Sequence, residues 1–183
     1  MSAPEAEVQP VAEGPKFDAR AVAPFAAAVT ALLCFARAGL NGDGLIAGFV
    51  GFVLVWLAAI DLRERILPNR IVLPATVAVL AAHALLTPHD VLQYVVAAFA
   101  AAALFFLPAA IRPGALGMGD VKLAMLLGAA LGSAVTGALM LGLFATGVFA
   151  LGLVFVRGRA ALKTQIALGP FLAFGGLAVL LFG

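Results

Sequence analysis

The sequence predicts an all-α, polytopic membrane protein, a transmembrane bundle of six or seven helices. Of its 183 residues, 64% are hydrophobic and only 11% are charged, and the mean hydropathy is +1.16. A soluble domain is about half apolar and about a quarter charged, so this composition excludes an ordinary globular protein. The same abundance of apolar residues excludes a disordered chain.

Charge and cysteine content exclude further classes of protein. A net charge of +2, with basic residues scattered between apolar runs, does not predict a nucleic-acid-binding face. The single cysteine, Cys34, cannot form an internal disulfide or a cysteine-based metal site. His83 and His89 form no His-Glu-x-x-His motif. We therefore expect no metal, no other cofactor and no nucleic-acid partner.

Charge-free stretches define the predicted helices, because a transmembrane helix needs about 20 mostly apolar residues. The longest stretch, residues 123–156, has 34 uncharged residues and is interpreted as two short helices with a turn around Gly132. The other predicted spans are residues 21–36, 44–60, 71–89, 91–111 and 164–183. Together these stretches give seven helices.

Basic residues orient the bundle, because Lys and Arg are enriched in cytoplasmic loops. With seven spans and the N-terminus inside, ten of the eleven basic residues lie on the cytoplasmic side and only Arg37 lies outside. Residues 1–20 are rich in Pro, Glu and Ala, which predicts a disordered cytoplasmic tail. Residues 21–183 are predicted to form a single multi-pass membrane domain.

The nine acidic residues leave few candidates for chemistry. Four belong to the tail, and Asp43 and Asp90 fall in short external turns. Asp61, Glu64 and Asp120 remain, at the cytoplasmic ends of predicted spans. Ionisable groups at membrane depth are costly and usually functional.

Each of these three residues also has a structural interpretation. Asp61 could pair with Arg65, one helical turn further on. Asp120 could be the N-cap of the helix that begins at Val121. Glu64 stands between two arginines and is interpreted as a loop charge.

Two aspartates on one side of a bundle suggest the chemistry of an aspartic protease. One ionised carboxylate activates water, and one protonated carboxyl polarises the scissile carbonyl. Two carboxylates that share a site cannot easily both ionise, so such a pair titrates as a unit.

Three segments resemble the type IV prepilin peptidases, which are GxGD-type intramembrane aspartyl proteases. The first segment runs from Asp61 to the Pro68-Asn69 pair, the second is Gly117-Met118-Gly119-Asp120-Val121-Lys122-Leu123, and the third begins Gly169-Pro170-Phe171. Together they span about residues 44–176. The resemblance implies a GxGD aspartyl protease-like transmembrane peptidase domain.

The resemblance also implies roles for individual residues. The family's catalytic aspartates correspond to Asp61 and Asp120. Gly117 and Gly119 would let the backbone approach the site closely. Lys122 is interpreted as an interfacial anchor, with substrate contact as the alternative.

The activity implied is that of a membrane-embedded aspartic endopeptidase. It would remove the short basic leader peptide from type IV prepilin-like or pseudopilin substrates at the cytoplasmic face of a bacterial or archaeal inner membrane. Its partners would be this substrate, membrane lipid and pilus or secretion machinery.

One departure from the family bears on a second activity. Longer members carry an N-terminal cytoplasmic insertion with paired Cys-x-x-Cys motifs and also methylate the new N-terminus. This chain, with one cysteine, resembles the short form found with tight-adherence (Flp) pili. We therefore expect a peptidase without N-methyltransferase activity.

Two other functions stay open on the sequence alone. In a transport or proton-relay protein, Asp61 and Asp120 would line an ion path, although no charged residue lies in the middle of a predicted span. In a structural subunit of a secretion machine, both aspartates would tolerate replacement by Asn.

Overall fold

A computed structural model of the protein describes residues 19–39, 41–111, 116–158 and 167–183. The described residues form seven α-helices and one 3-10 turn and contain no strand, which confirms the predicted all-α class. The predicted tail, residues 1–20, lies outside the described residues except for its last two positions, which begin the first helix. Of the basic residues that orient the bundle, Lys16, Arg112, Arg159 and Lys163 also lie outside.

The helices follow the charge-free stretches in order. They are α1 Ala19–Ala38, α2 Gly42–Glu64, α3 Asn69–Leu86, α4 Val91–Ile111, α5 Met118–Leu131, α6 Val135–Arg157 and α7 Gly169–Phe182, with the 3-10 turn Gly132–Ala134 between α5 and α6. The count agrees with the predicted six or seven.

Four helical segments are long and apolar enough to cross a membrane. They are α2, α3, α4 and the segment Met118–Arg157, which comprises α5, the 3-10 turn and α6. Helices α5 and α7 have 14 residues each and rise about 21 Å, less than the hydrocarbon thickness of about 30 Å. The protein is therefore a multi-pass helical membrane protein, although α5 and α7, among the helices described, are each shorter than a full span.

The chain reverses at Gly132, as the sequence predicts. Gly132 has a φ of +56°, a conformation that ends α5 and that residues with a Cβ rarely adopt. Helix α6 then runs antiparallel to α7: Gly137 lies beside Val179 and Gly142 beside Leu172. Helix α5 runs from Asp120 towards this turn, and α6 returns from it.

Helices α2, α5 and α7 form the centre of the bundle. Leu54 of α2, Leu127 of α5 and Leu172 of α7 are fully buried. A Cβ at Gly176 of α7 would collide with Leu127 and Leu54, so the absence of a side chain lets α7 fit between the other two helices. Helix α1 packs on α2, α4 on α5 and α6 on α7.

Candidate active site

Asp61 is a buried acidic residue near the C-terminal end of α2. Its side chain is 5% exposed, although it is only three residues from the last residue of that helix. The helix ends at Arg65, which has a φ of +52° and donates its backbone N–H to the Asp61 carbonyl oxygen (2.9 Å). The left-handed turn at Arg65 directs the chain away from α2 one helical turn after the aspartate.

The first residue of α7 lies directly against the Asp61 carboxyl. A Cβ at Gly169 would lie 2.5 Å from Asp61 Oδ2 and 3.0 Å from Cγ, so no larger residue fits without displacing the carboxyl. Pro170 at the start of α7 has the fixed φ that a first helical turn requires. Because unpaired N–H groups and the helix dipole favour negative charge at a helix N-terminus, this contact suits an ionised carboxylate.

One oxygen of Asp61 lacks a hydrogen bond within the described part of the chain. Oδ2 is buried on the side of the carboxyl that faces Gly169. Unsatisfied buried oxygens are rare in folded proteins. Oδ2 is therefore available to a group that enters the site.

Asp120 lies in the first turn of α5, facing the same region. The N-cap of α5 is Gly117, and the backbone N–H of Asp120 donates to the Gly117 carbonyl oxygen (3.0 Å). The side chain folds back on this turn, so that a Cβ at Gly117 would lie 3.1 Å from Asp120 Oδ2. Asp120 is partly exposed.

Two contacts join the segment after Asp61 to the segment around Asp120. Leu67 is buried against Gly119, where a Cβ would lie 2.9 Å from the Leu67 Cβ. One turn further along α5, Lys122 Nζ donates to Asn69 Oδ1 at 2.6 Å. These contacts hold the start of α3 on the start of α5.

The two aspartates lie where the ends of the three central helices meet. Asp61 comes from the end of α2, Asp120 from the start of α5, and Gly169 starts α7. The two segments are joined by the contact of Leu67 with Gly119, the residue before Asp120. The arrangement can hold one carboxyl protonated beside one carboxylate, since two adjacent carboxyls do not easily ionise together.

The structural interpretations given above for Asp61, Glu64 and Asp120 have different outcomes. Asp120 is not the N-cap of α5, because that position belongs to Gly117. A pairing of Asp61 with Arg65 is not supported: Asp61 is buried, while Arg65 is exposed beyond the helix end. Glu64 is exposed, as predicted for a surface charge, but it is the last residue of α2 and not part of a loop.

The sequence-predicted residues outside the aspartates are brought together as well. Pro68 is the N-cap of α3, and Gly117, Gly119, Lys122, Asn69, Gly169 and Pro170 all belong to the three helix starts around the site. The Lys122–Asn69 hydrogen bond was foreseen by neither interpretation of Lys122. The contact made by Leu67 was also missed, since no sequence signal distinguishes Leu67 from its apolar neighbours.

No set of three or more His, Cys, Asp or Glu side chains that could hold a metal ion is present in the described ranges. The expectation that no metal or cofactor is required stays a prediction.

The fold and this site define a class: a polytopic helical membrane protein with two acidic side chains at the converging ends of its central helices. Residues 48–156 match the type IV leader peptidase family, and the chain belongs to this family. A curated relative, the prepilin leader peptidase/N-methyltransferase of Bacillus subtilis (strain 168), is 32% identical over 166 residues. The match covers 87% of this chain and 66% of the relative. No solved structure matches the chain.

Proposed function

We propose that this protein is an aspartic endopeptidase that removes the basic leader peptide from type IV prepilin-like substrates. The observation that carries the proposal is the position of Asp61 and Asp120 at the same end of the bundle, where Gly169 lies against Asp61 and Leu67 packs on Gly119, the residue before Asp120. The family membership and the name of the Bacillus subtilis relative support prepilin leaders as the substrate class.

In the proposed reaction the two carboxyls act as a pair. The ionised one takes a proton from a water molecule, and that water attacks the scissile carbonyl carbon. The protonated one donates a hydrogen bond to the carbonyl oxygen, where negative charge develops. The N-terminus of α7 beside Asp61 favours the ionised form at that position, and we assign the carboxylate to Asp61 and the proton to Asp120.

The short central helices support cleavage close to the membrane surface. Because α5 and α7 rise only about 21 Å, their N-termini can lie below the surface of the hydrocarbon layer while α2 crosses it. A substrate whose apolar helix remains in the membrane would then present its leader junction at the depth of the aspartates. Exposed Arg63, Arg65 and Arg70 lie at this end of the bundle, which supports its assignment to the cytoplasmic face.

We further propose that the chain acts as a peptidase alone. The relative is named as a bifunctional enzyme, whereas this sequence has a single cysteine, Cys34, and so no paired Cys-x-x-Cys motifs. Transfer of a labelled methyl group to the cleaved substrate by the purified chain would contradict this part. Pilus or secretion machinery is the proposed context of the reaction.

The test is cleavage of a purified prepilin by the purified protein in lipid vesicles. Asp61→Asn and Asp120→Asn keep side-chain size but remove the titratable group, so each should lower the cleavage rate by at least about 10²–10⁴-fold. The double variant should be little worse than either single variant, because residues that act as a unit are non-additive.

Glu64→Gln is the matched control, since Glu64 is exposed and adjacent to the same helix end. It should cleave at close to the unmodified rate. Normal processing by Asp120→Asn together with failure of Glu64→Gln would overturn the assignment. Normal processing by both aspartate variants would favour a structural subunit, and proton flux without cleavage would favour the relay.

A further inference from the structure

A second polar site lies at the end of the bundle opposite the aspartates. A cavity of about 290 Å³ is formed there by the ends of α1, α2, α3, α4, α5 and α7. Four of its lining residues are polar: Arg37, Asp43, His83 and Tyr94. The proposed peptidase mechanism uses none of them.

The centre of this cavity is a buried histidine held in a fixed orientation. The His83 side chain is 3% exposed, and its ring stacks on Tyr94 with a centroid distance of 3.5 Å and an interplanar angle of 12°. Nδ1 lies 3.4 Å from Thr87 Oγ1, and that hydroxyl also donates to the His83 carbonyl oxygen. These contacts fix the ring at the last turn of α3.

The other ring nitrogen has no hydrogen bond to the described residues. Nε2 is also buried. A buried polar atom without a partner is unfavourable, so a polar group that enters the cavity would stabilise this arrangement.

The charges around the histidine have both signs. Arg37, in the last turn of α1, and Asp43, in the first turn of α2, are exposed and line the same cavity. The charge of Asp43 acts on both His83 and Tyr94. A ligand that matches this lining carries an anionic and a cationic group a few bonds apart.

The rest of the cavity wall is apolar and continues into the membrane-spanning part of the bundle. Ile46, Leu131, Val179 and Leu180 line it. A ligand that fits both parts has a zwitterionic head and an apolar body. Since the cavity lies where the membrane-crossing helices end, it is at the level of lipid headgroups.

We propose that this cavity binds the headgroup of a zwitterionic membrane phospholipid, with its phosphate beside Arg37 and its ammonium beside Asp43. The glycerol region lies against the apolar wall, and the polar groups of the lipid satisfy His83 and Tyr94. This site is independent of the proposed peptidase activity.

The test is native mass spectrometry of the purified protein with phosphatidylethanolamine and phosphatidylglycerol of identical acyl chains. The unmodified protein should retain phosphatidylethanolamine about tenfold more tightly, the effect of one charge-assisted interaction. Asp43→Asn should remove most of this preference, and Arg37→Gln should weaken retention of both lipids. Because both side chains are exposed, these changes leave the core intact.

Glu64→Gln and Arg70→Gln are the matched controls, since both residues are exposed at the other end of the bundle. They should leave the lipid preference unchanged. Equal retention of the two lipids by the unmodified protein, or an unchanged preference in Asp43→Asn, would overturn the proposal. Displacement of the lipid by an equal concentration of soluble glycerophosphoethanolamine would overturn the membrane lipid as the occupant, because the apolar wall would then contribute nothing to binding.

Discussion

The two ends of the bundle gather polar groups in different ways. At one end, Asp61 and Asp120 lie beside the N-termini of α5 and α7. At the other, Arg37 and Asp43 share a cavity with His83, and the central helices α5 and α7 present their C-termini there.

Helix polarity accounts for this difference. The N-termini of α5 and α7 favour negative charge through their dipoles, so that end of the bundle suits acidic side chains. At the opposite end those helices offer carbonyl groups, and the lining there has charges of both signs. The direction of the short central helices thus determines which end can carry paired carboxylates.

At the aspartate end the backbone of α7 also lies directly against the Asp61 carboxyl. Substitution of Gly169 tests this contact most directly. Gly169→Ala should displace the Asp61 carboxyl, because the added methyl group would lie 2.5 Å from Oδ2. A displacement of about 1 Å in a catalytic group can cost about 10²-fold in rate. The measurement is the single-turnover rate of prepilin cleavage, with thermal unfolding followed in parallel.

Gly147→Ala is the control for this substitution, since a Cβ at Gly147 of α6 meets nothing within 4 Å. It should retain full cleavage. If Gly169→Ala also cleaves normally, then Asp61 does not depend on the start of α7 and the comparison of the two ends loses its basis.

Substitution of a glycine in the middle of the bundle, Gly128 of α5, should affect stability more than cleavage. Gly128→Ala places a methyl group against the backbone of Ala97 and Ala98, which cannot yield as a flexible side chain would. Overpacking of this kind costs about 1–3 kcal/mol of stability. We expect a lower unfolding temperature but little change in the cleavage rate per folded molecule, measured at a temperature where the variant is fully folded.

A loss of cleavage by Gly128→Ala without a loss of stability would contradict this separation. It would mean that the packing of α4 on α5 sets the position of Asp120, and that the site extends further along α5 than its first turn.

Much of the fold could be predicted from charge alone. A segment in lipid must satisfy its backbone hydrogen bonds internally, so long uncharged segments form helices. Within the longest uncharged segment, the turn predicted around Gly132 lies where the structure has it. The length of α7 could not be predicted in this way. Residues 164–183 are uncharged, but α7 begins only at Gly169.

The site could be predicted only in part. Asp61 and Asp120 were selected by elimination among the nine acidic residues and by the family resemblance. Their catalytic role stays a proposal. The contact of Gly169 with Asp61 joins residues more than a hundred positions apart, and no periodicity in either segment specifies it. The polar cavity at the opposite end could not be predicted from the sequence. His83 stands on an apolar helix and belongs to no motif, and Arg37 was noted only as the one basic residue placed outside the cytoplasmic side.

The smallest expected effect concerns the hydrogen bond from Lys122 to Asn69, which joins α5 to α3 beside the aspartates. Lys122→Met and Asn69→Ala each remove this bond, whose net contribution is about 0.5–1.5 kcal/mol. Each variant should therefore lower the cleavage rate about 2–10-fold, and the double variant should be no slower than the slower single variant, since both lose the same interaction.

Lys122→Arg separates charge from geometry: it keeps the cation, as an anchor at the membrane surface would require, but changes the shape of the donor. Full activity in Lys122→Arg and Asn69→Ala, with loss only in Lys122→Met, would assign Lys122 to the membrane surface instead. Additive losses in the double variant would show that the two side chains act separately, and the start of α3 would then be held on α5 by Leu67 and Gly119 alone.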